Sequence, residues 1–328
     1  MPDSARVPGL ISIIIPTRDR RVDLAECLCS IERQDYANRE VIVVDDCSED
    51  DSADYVRANH GDVILIVNDR RRQPAYSRNL GLRAASGEWV LFLDSDSELP
   101  RPDWLSTMVR TLEAHPEVPI LGGEIRAFGP RQDVAYGRNV RLNGATRAVA
   151  APASEPEKLV ACDYVATCNC FGRADAMQAA GGFDPYFGFG GEDVDFCLRV
   201  ARGHKCCVSY TTAVHHKQSP RGRNPDETAR YHLARVRQRL KNAPVFGVLL
   251  GLLYDLLSVV FFYLFLLPKL AAKLILRRPI HRENLTGGWL IVRAYGFNLL
   301  RLGCIRAARR TDFLQDEAMG LFEQHDTR

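Results

Sequence analysis

Four apolar runs follow one another in the first hundred residues, and apolar residues at helical spacing separate several of them. The runs are LISIIIPT (10–17), EVIVVDD (40–46), VILIVND (63–69) and EWVLFLD (88–94). They lack polar alternation, as is typical of parallel strands covered on both faces. DLAECLCSIERQ (23–34) and SRNLGLRAAS (77–86) have helical spacing. The pattern predicts an α/β fold with a Rossmann-like, open, twisted and mostly parallel sheet flanked by helices.

The pattern continues less regularly after the fourth strand. Residues 102–115 are typical of an amphipathic helix and residues 119–128 of a further strand. Residues 129–160 are rich in Gly, Pro, Ala and Asn and predict a mobile loop near the functional site. A glycine-rich turn, GGFDPYFGFGGEDVDF (181–196), then leads into a helix, and KCCVSYTTAVHH (205–216) predicts a strand.

The hydrophobic pattern changes at residue 245. Residues 245–268 carry one charge, Asp255, in 24 residues, which is long enough to cross a bilayer. Residues 287–303 are apolar but carry Arg293 and Arg301, so we expect an amphipathic helix there. We therefore predict three parts: an α/β domain over 1–240, a membrane-associated helical hairpin over 241–310, and a polar C-terminal tail over 311–328.

Charge around the apolar segment does not fit one clean membrane crossing. A single span should have basic residues on its cytosolic side alone, yet both sides are basic here. The basic residues are Arg235, Arg237, Arg239 and Lys241 before the segment and Lys269, Lys273, Arg277 and Arg278 after it. Asp255 at mid-span would also cost about 2.5–3.5 kcal/mol. We predict a re-entrant or interfacial hairpin through residues 245–303. The alternative is a hairpin buried on the preceding domain or on a second subunit. The second case would make the protein a homo-oligomer.

Composition narrows the partners and the compartment. The chain has 43 Lys plus Arg against 41 Asp plus Glu, a net charge of +2, which gives no reason to expect nucleic acid as a partner. Ten cysteines occur without any CxxC spacing, which favours reduced thiols and a cytosolic compartment. The first ten residues show no signal-peptide pattern, so we expect the first domain to face the cytosol.

Two aspartates close the fourth strand in LFLDSDSELP. Asp94 and Asp96 are one residue apart at the point where the pleat of the strand gives way, so both carboxylates can converge on one cation. Oxygen ligands favour Mg²⁺ or Mn²⁺, and a site with few protein carboxylates leaves positions for substrate phosphates. The alternative is a solvated turn, in which Asp and Ser are common.

Other polar residues gather at strand and helix ends. Asp45 and Asp46 end the second strand, where they can cap the next helix or, for Asp46, bind a nucleotide. Glu192 and Asp193 begin a helix after glycines, an arrangement that suits either a stable first turn or a carboxylate that accepts a proton. These alternatives stay open on the residues alone.

Two further candidates are basic. His215 and His216 close the last strand, and either can complete a metal site, although a histidine at a strand end is more often only exposed. Arg78 can pair with a diphosphate or lie on a helix surface.

Five segments taken in order resemble the inverting family 2 nucleotide-sugar glycosyltransferases of GT-A fold. They are SIIIPTRDR, EVIVVDDCSEDDS, AYSRNLGLRAASGEWVLFLDSDSELP, GGFD and FGGEDVDFCLRVARGHK. The resemblance covers about residues 10–218. It implies metal-dependent transfer of a sugar from a nucleoside diphosphate donor, with Mg²⁺ or Mn²⁺ as cofactor. The QxxRW signature of processive synthases is absent, which favours addition of one sugar per binding event.

The resemblance also implies roles for individual residues. The nucleotide-sugar contacts are Pro16, Thr17, Asp19, Asp46, Arg78, Asn79, Asp94 and Ser95. The metal ligands are Asp96, Asp94 and His215, with Asp96 the more direct and with His216 leaving the register open. Asp193 matches the general base, and Glu192 beside it an acceptor contact.

The resemblance and the apolar segment together predict a membrane enzyme. We expect a glycan or lipid-linked acceptor, bound at the cytosolic face of the membrane. One alternative is a catalytically degenerate, membrane-attached subunit that binds nucleotide sugars. A phosphatase of the haloacid dehalogenase type also ends a strand in DxD, but it would leave the VDD and ED segments unexplained.

Overall fold

The computed structural model describes residues 6–127, 137–141, 144–150, 157–187, 190–217, 227–275, 283–309 and 311–315. The chain divides into two compact units, one of residues 1–139, 147–223 and 312–328 and one of residues 140–146 and 224–311. The predicted limit at residue 240 falls inside the second unit, whereas the predicted tail, apart from its first residue Thr311, belongs to the first. Residues 316–328 of that tail and much of the predicted loop 129–160 lie outside the described residues, and the three-part division stays a prediction.

The first unit is built on a mixed sheet. Its strands are β1 (Val7–Thr17), β2 (Arg39–Asp45), β3 (Ile64–Val67), β4 (Gly87–Phe92), β5 (Ser97–Glu98), β6 (Ile120–Ala127), β7 (Arg138–Val140), β8 (Thr146–Ala148), β9 (Val160–Cys162), β10 (Cys170–Arg173) and β11 (Cys206–His216). The strand order is β3-β2-β1-β4-β10-β6-β11-β5, with β9 also paired to β11, while β7 and β8 pair with each other. Pairs β1–β2, β1–β4, β2–β3 and β6–β11 are parallel. The predicted mostly parallel sheet is confirmed.

Helices flank the sheet and form the second unit. They are α1 (Arg21–Glu32), α2 (Ser52–Asn59), α3 (Gln73–Ala84), α4 (Trp104–Ala114), α5 (Ala174–Ala179), α6 (Glu192–Ala201), α7 (Glu227–Asn242), α8 (Val245–Ile275), α9 (Glu283–Leu300) and α10 (Leu302–Ala307). Two 3-10 helices, Thr167–Asn169 and Pro185–Phe187, lie in the first unit. The first unit therefore alternates strands and helices as the apolar runs predict.

Strand β1 shows why the apolar runs lack polar alternation. Ile13 and Ile15 on one face are fully buried in the main hydrophobic cluster. Ile14, on the opposite face, is also fully buried and packs against α3, where a Cβ on Gly81 would lie 2.3 Å from Ile14 Cγ2. Helices thus cover both faces of this strand, and each face excludes polar side chains.

The short strand β10 lies between β4 and β6 and is antiparallel to both. Strand β6 therefore runs in the same direction as β4, and β1, β2, β4 and β11 all end at the same edge of the sheet. In open α/β sheets, ligands bind beyond the carboxyl ends of the strands. Many of the polar residues predicted to be functional lie at these four strand ends, whereas Arg78 and Asn79 lie in α3 and Glu192 and Asp193 begin α6.

The second unit buries charged residues and exposes apolar ones, the reverse of the usual arrangement. Asp255 on α8 is 2% exposed, whereas Leu249, Leu253 and Leu264 on the same helix are 53–59% exposed. Asp255 binds Arg235 and Arg239 of α7 at 2.8 and 2.5 Å. The charged groups thus face inward and the leucines outward.

Helix α8 is also the one described helix that is long and apolar enough to cross a bilayer. This segment, Val245–Phe265, has a mean hydropathy of 2.3, and 18% of it is buried. The helix continues through Pro268 to Ile275. Residues 276–282, which include the basic Arg277 and Arg278, lie outside the described residues.

Candidate active site

Asp94 and Asp96 face different cations rather than each other. Asp94 follows β4, and its Oδ1 lies 2.9 Å from Arg78 NH2. Asp96 has a fully buried side chain whose Oδ1 lies 2.8 Å from NH1 of Arg20, the residue before α1. Ser95, 1% exposed, lies between them. The repulsion between the two carboxylates is therefore offset by two guanidinium groups from separate segments.

The histidine beside the aspartates is His216. Its Nε2 lies 3.2 Å from Asp96 Oδ1 and 3.8 Å from Asp94 Oδ2. His215 precedes it on β11, and successive side chains of a strand point to opposite faces. His216 is thus the histidine that lies beside the aspartates, and the metal role of His215 stays a prediction.

A possible cation site combines three kinds of donor atom. One ligand atom each from Asp94, Cys168 and His216 lie within 4.8 Å of one another, which is the one such group among the described residues. An oxygen, a sulfur and a nitrogen in this spacing fit a divalent cation. Burial, followed by the charges of Asp94 and Asp96, raises the pKa of the Cys168 thiol. Asp96, predicted as the more direct ligand, lies outside this group.

Arg78 joins the strand end to the start of α6. Its side chain is 4% exposed; NH2 binds Asp94 at 2.9 Å and NH1 binds Glu192 Oε1 at 3.1 Å. Glu192 Oε2 accepts a hydrogen bond from the Gly190 backbone N–H at 2.7 Å. Arg78 and the turn thus hold Glu192 in place. This positioning role is additional to the contact with the acceptor that the resemblance implies.

Asp193 is a carboxyl group whose surroundings raise its pKa strongly. Burial and then the negative charge of Glu192 raise the pKa of Asp193 to about 8. Gly190 and Gly191 before it have φ of +99° and +88°, a left-handed backbone that glycine adopts without strain. A carboxylate with this pKa is a stronger base than an ordinary aspartate and suits proton transfer near neutral pH.

Asp46 binds the backbone that leads into α3. Its Oδ1 accepts hydrogen bonds from Asn68 Nδ2 at 2.8 Å and from the Arg72 N–H at 2.6 Å, and its Oδ2 accepts one from the Gln73 N–H at 2.9 Å. The backbone N–H groups of Arg72 and Gln73 lie at the start of α3, where the helix itself offers them no acceptor. Asp46 therefore stabilises the start of α3, and its predicted nucleotide contact stays a prediction.

The end of β1 and the loop after it hold three further predicted donor contacts. Pro16 is half-buried and Thr17 is 4% exposed; Thr17 Oγ1 has no hydrogen-bond partner among the described residues. Asp19 has a left-handed φ of +51°, and its Oδ1 accepts a hydrogen bond from the Glu49 N–H at 2.6 Å. Asp19 thus joins the loop after β1 to the loop after β2.

Asn79 has a structural role that differs from the predicted contact with the donor. It is fully buried, and both ends of its amide bind the backbone of Phe183: Nδ2 donates to the carbonyl at 2.8 Å and Oδ1 accepts from the N–H at 2.7 Å. The Phe183 ring stacks on Phe196 of α6 with centroids 3.9 Å apart. Asn79 therefore fixes the GGFD turn beneath α6.

Three residues of the site were missed or left open by the sequence. Arg20 follows a strand end within PTRDR, so its position offers a weak signal. Cys168 lies in a 3-10 helix between two short strands that the apolar pattern does not reveal. His216 could be distinguished from His215 only through the register of β11.

Comparisons with known proteins agree with this fold. The model of the family described as Glycosyl transferase family 2 matches residues 12–161, and the model of Glycosyl transferase family group 2 matches residues 89–276. A curated relative is the GalNAc(5)-diNAcBac-PP-undecaprenol beta-1,3-glucosyltransferase of Campylobacter jejuni, which is 41% identical over 93 residues, or 27% of this chain and 30% of the relative. The matched segments span 36%, 30% and 38% of three curated relatives.

Two solved structures share the fold at low sequence identity. S. aureus TarS 1-349 in complex with UDP-GlcNAc has a TM-score of 0.55 and 18% identity, with 97% of this chain and 91% of that chain covered. GalNAc-T7 with UDP, GalNAc and Mn²⁺ has a TM-score of 0.57 and 15% identity, with 70% and 47% covered. At these identities the likeness establishes the fold alone.

Proposed function

Because this chain belongs to family 2 of the glycosyltransferases, we propose that it transfers one sugar, with inversion, from a nucleoside diphosphate sugar to an acceptor hydroxyl. The observation that carries the proposal is Arg78, which joins Asp94 at the end of β4 to Glu192 beside Asp193. One buried guanidinium thereby brings the donor-side and acceptor-side segments together. The family match leaves the phosphatase alternative without support.

The chain's own residues provide a route for the proton. In the proposed step, Asp193 takes the proton of the acceptor hydroxyl, and that oxygen bonds to the anomeric carbon. The bond from the anomeric carbon to the diphosphate oxygen breaks, and the diphosphate leaves with its electron pair. A single displacement of this kind inverts the anomeric centre. Arg78 and Glu192 hold the start of α6, and therefore Asp193, in position.

A divalent cation fits the site between the donor and the aspartates. Asp94 and His216 would hold it, and a bound cation would offset the negative charge of the departing diphosphate. The donor set of oxygen and nitrogen atoms and the Mn²⁺ in the GalNAc-T7 structure support this proposal. Chelation with EDTA should then abolish transfer, and Mg²⁺ or Mn²⁺ should restore it.

The proposed acceptor is a lipid-linked or cell-surface glycan precursor at the cytosolic face of the membrane. The Campylobacter relative is a glucosyltransferase that acts on a glycan linked to undecaprenol through a diphosphate, GalNAc(5)-diNAcBac-PP-undecaprenol. The second unit supports membrane association independently, because the apolar segment Val245–Phe265 of α8 exposes leucines and buries its one charged residue, Asp255.

Vesicle flotation tests this membrane association. Replacement of Leu249, Leu253 and Leu264 by Ser should release the protein from vesicles that contain anionic lipid. A matched control replaces Val22, Ile64 and Val67, which are 40–51% exposed in the first unit, and should leave flotation intact. Equal flotation of the two triple variants would contradict the proposal.

A transfer assay with Asp193→Asn tests the catalytic assignment. Nucleoside diphosphate release from a panel of nucleotide sugars, with Mn²⁺ and a polyprenyl-linked acceptor, should fall roughly 10²- to 10⁴-fold, because general-base help has that magnitude. Donor binding, followed by thermal shift, should persist. Asp54→Asn, a surface variant on α2, serves as the control.

Wild-type turnover in Asp193→Asn would contradict the assignment. A native protein that binds nucleotide sugars but neither transfers nor hydrolyses them would instead be the catalytically degenerate subunit.

A further inference from the structure

Cys168 brings a sulfur atom into a site whose other donors are oxygen and nitrogen. Its Sγ, a carboxylate oxygen of Asp94 and a ring nitrogen of His216 lie within 4.8 Å of one another. Cys168 is 4% exposed, so the protein itself surrounds this sulfur. Nothing in the proposed transfer step uses the thiol.

We propose that Cys168 is a ligand of the divalent cation and that it makes the site prefer Zn²⁺ or Co²⁺ to Mg²⁺. This inference rests on the proposed function, because it concerns the same cation site. It goes further in naming a ligand and a selectivity that hard oxygen donors alone would not give.

The fold holds the three ligands on separate elements. Asp94 follows β4, His216 ends β11, and Cys168 lies in the 3-10 helix Thr167–Asn169. Hydrogen bonds fix the next residue of that helix: the Asn169 N–H donates to the Ala166 carbonyl at 3.0 Å, and its side-chain amide donates to the Glu124 carbonyl at 3.3 Å. The backbone next to Cys168 is therefore fixed, and a single side-chain torsion separates that backbone from the sulfur.

Ligand chemistry favours a borderline cation. Thiolate and imidazole suit Zn²⁺, whereas Mg²⁺ takes oxygen ligands and keeps much of its water. On binding a cation the thiol loses its proton to solvent and coordinates as thiolate.

The two arginines strengthen this preference. Arg20 already binds Asp96 at 2.8 Å, and Arg78 binds Asp94 at 2.9 Å. Each carboxylate is thus partly neutralised by a guanidinium group, and it attracts a hard cation less strongly. The polarizable sulfur then accounts for a larger share of the binding free energy.

Co²⁺ titration of the full-length chain tests the proposal without reference to activity. Wild-type protein should develop a near-ultraviolet sulfur-to-cobalt charge-transfer band. Cys168→Ser should lack the band and bind Co²⁺ at least about tenfold more weakly, since loss of supporting groups around a metal already costs that much. Zn²⁺ should displace Co²⁺, whereas Mg²⁺ at the same concentration should not.

Cys27→Ser is the matched control. Cys27 is fully buried near the same aspartates, with its Sγ 3.8 Å from the Asp94 carbonyl oxygen, but it does not belong to the group of ligand atoms. This variant should keep both the band and the affinity. A band that Cys27→Ser abolishes and Cys168→Ser retains would overturn the proposal.

Two further outcomes separate this inference from the proposed function. Co²⁺ binding that weakens in Asp94→Asn and His216→Ala but shows no sulfur band in the wild type would overturn the role of Cys168 and leave the cation site standing. Co²⁺ binding that neither variant changes would remove the cation site itself, while the transfer assay still judges the enzyme activity. Should Cys168→Ser fail to fold, X-ray absorption of the Zn²⁺-loaded wild type decides: a sulfur scatterer supports the proposal and its absence overturns it.

Discussion

Asp193 differs from the other carboxylates of the site in what surrounds it. Asp94 and Glu192 are bound to Arg78, and Asp96 is bound to Arg20. Asp193 Oδ1 accepts a hydrogen bond from the Val194 N–H at 2.8 Å, but burial and the charge of Glu192 dominate and raise its pKa to about 8. It therefore carries a proton through much of the neutral range.

This raised pKa fixes the sign of the pH dependence. A general base acts in its deprotonated form, so kcat/KM should rise about tenfold per pH unit below the pKa of Asp193 and level off above it. With a pKa of about 8, the rising limb should end near pH 8. Initial rates at low donor concentration across the neutral and alkaline range measure this limb.

The control for the pH profile is donor affinity measured over the same range. Affinity should not follow the same limb, because Asp193 acts on the acceptor. A rate that is level from pH 6 upward would contradict the assignment of Asp193 as the base.

Single residues of the site were predictable where their position along the chain was enough to place them at the end of a strand or the start of a helix. Asp94 and Asp193 could be proposed because strand and helix ends can be read from hydrophobic spacing and because the motifs around them resemble those of a known family. His216 was not separated from His215, because a shift of one residue in strand register turns every side chain to the other face. Cys168 was missed because a buried cysteine normally behaves as a small apolar residue.

At the level of elements, the GGFD turn connects α3 to α6. Asn79 on α3 holds the backbone of Phe183, and Phe183 stacks on Phe196 of α6. The turn approaches Asn79 closely, since a Cβ on Gly182 would lie 2.6 Å from Asn79 Oδ1. The position of α6 thus depends on an amide at the centre of α3.

Asn79→Ala should therefore reduce stability and turnover together. It leaves the buried N–H and carbonyl of Phe183 without their partner, which costs about 1–3 kcal/mol. The resulting movement of α6 should lower kcat through Asp193. Thermal unfolding and steady-state rates measure the two effects.

Asn59→Ala is the matched control for this variant. Asn59 ends α2 on the surface, and its amide binds the Tyr55 carbonyl at 2.9 Å within its own helix. This change should leave both quantities nearly unchanged. A stable and fully active Asn79→Ala protein would show that the turn does not position α6.

Elements were predicted well where they are long and poorly where they depend on distant partners. The helix predicted over 77–86 begins at Gln73 instead, because Asp46 supplies partners for its first N–H groups from another strand. Strand β10 has four residues, and its place between β4 and β6 is a tertiary contact that no local pattern encodes.

At the level of the whole molecule, the two units differ in the kind of residue that they bury. The first buries isoleucines on both faces of its central strand. In the second, Asp255 is buried with Arg235 and Arg239, and the Tyr295 hydroxyl donates to Asp255 Oδ2 at 2.7 Å. Apolar runs and composition predicted the order of these two parts. They could not predict which basic residues would bind Asp255, since that pairing depends on helix packing.

Asp255→Ala should destabilise the second unit. Removal of one partner leaves buried arginines without compensation, which costs about 3–5 kcal/mol. The apparent unfolding temperature in mild detergent should fall accordingly, although the substitution makes α8 more apolar.

Ser258→Ala on the same helix is the control, because its hydroxyl binds only the local Tyr254 carbonyl and the residue is not buried in this cluster. It should leave the unfolding temperature unchanged. A rise in stability on Asp255→Ala would show that the ion cluster does not hold the unit together.

If donor and acceptor bind as proposed, Arg78 should couple their binding. Its guanidinium divides its charge between Asp94, on the side assigned to the donor, and Glu192, on the side assigned to the acceptor. A ligand that weakens the ion pair between Arg78 and Asp94 should strengthen the ion pair between Arg78 and Glu192, which in turn binds the Gly190 N–H. Thermodynamic linkage is reciprocal, so occupation of the acceptor side must alter donor affinity by the same factor. The proposed enzyme would therefore bind its two substrates cooperatively or anticooperatively rather than independently.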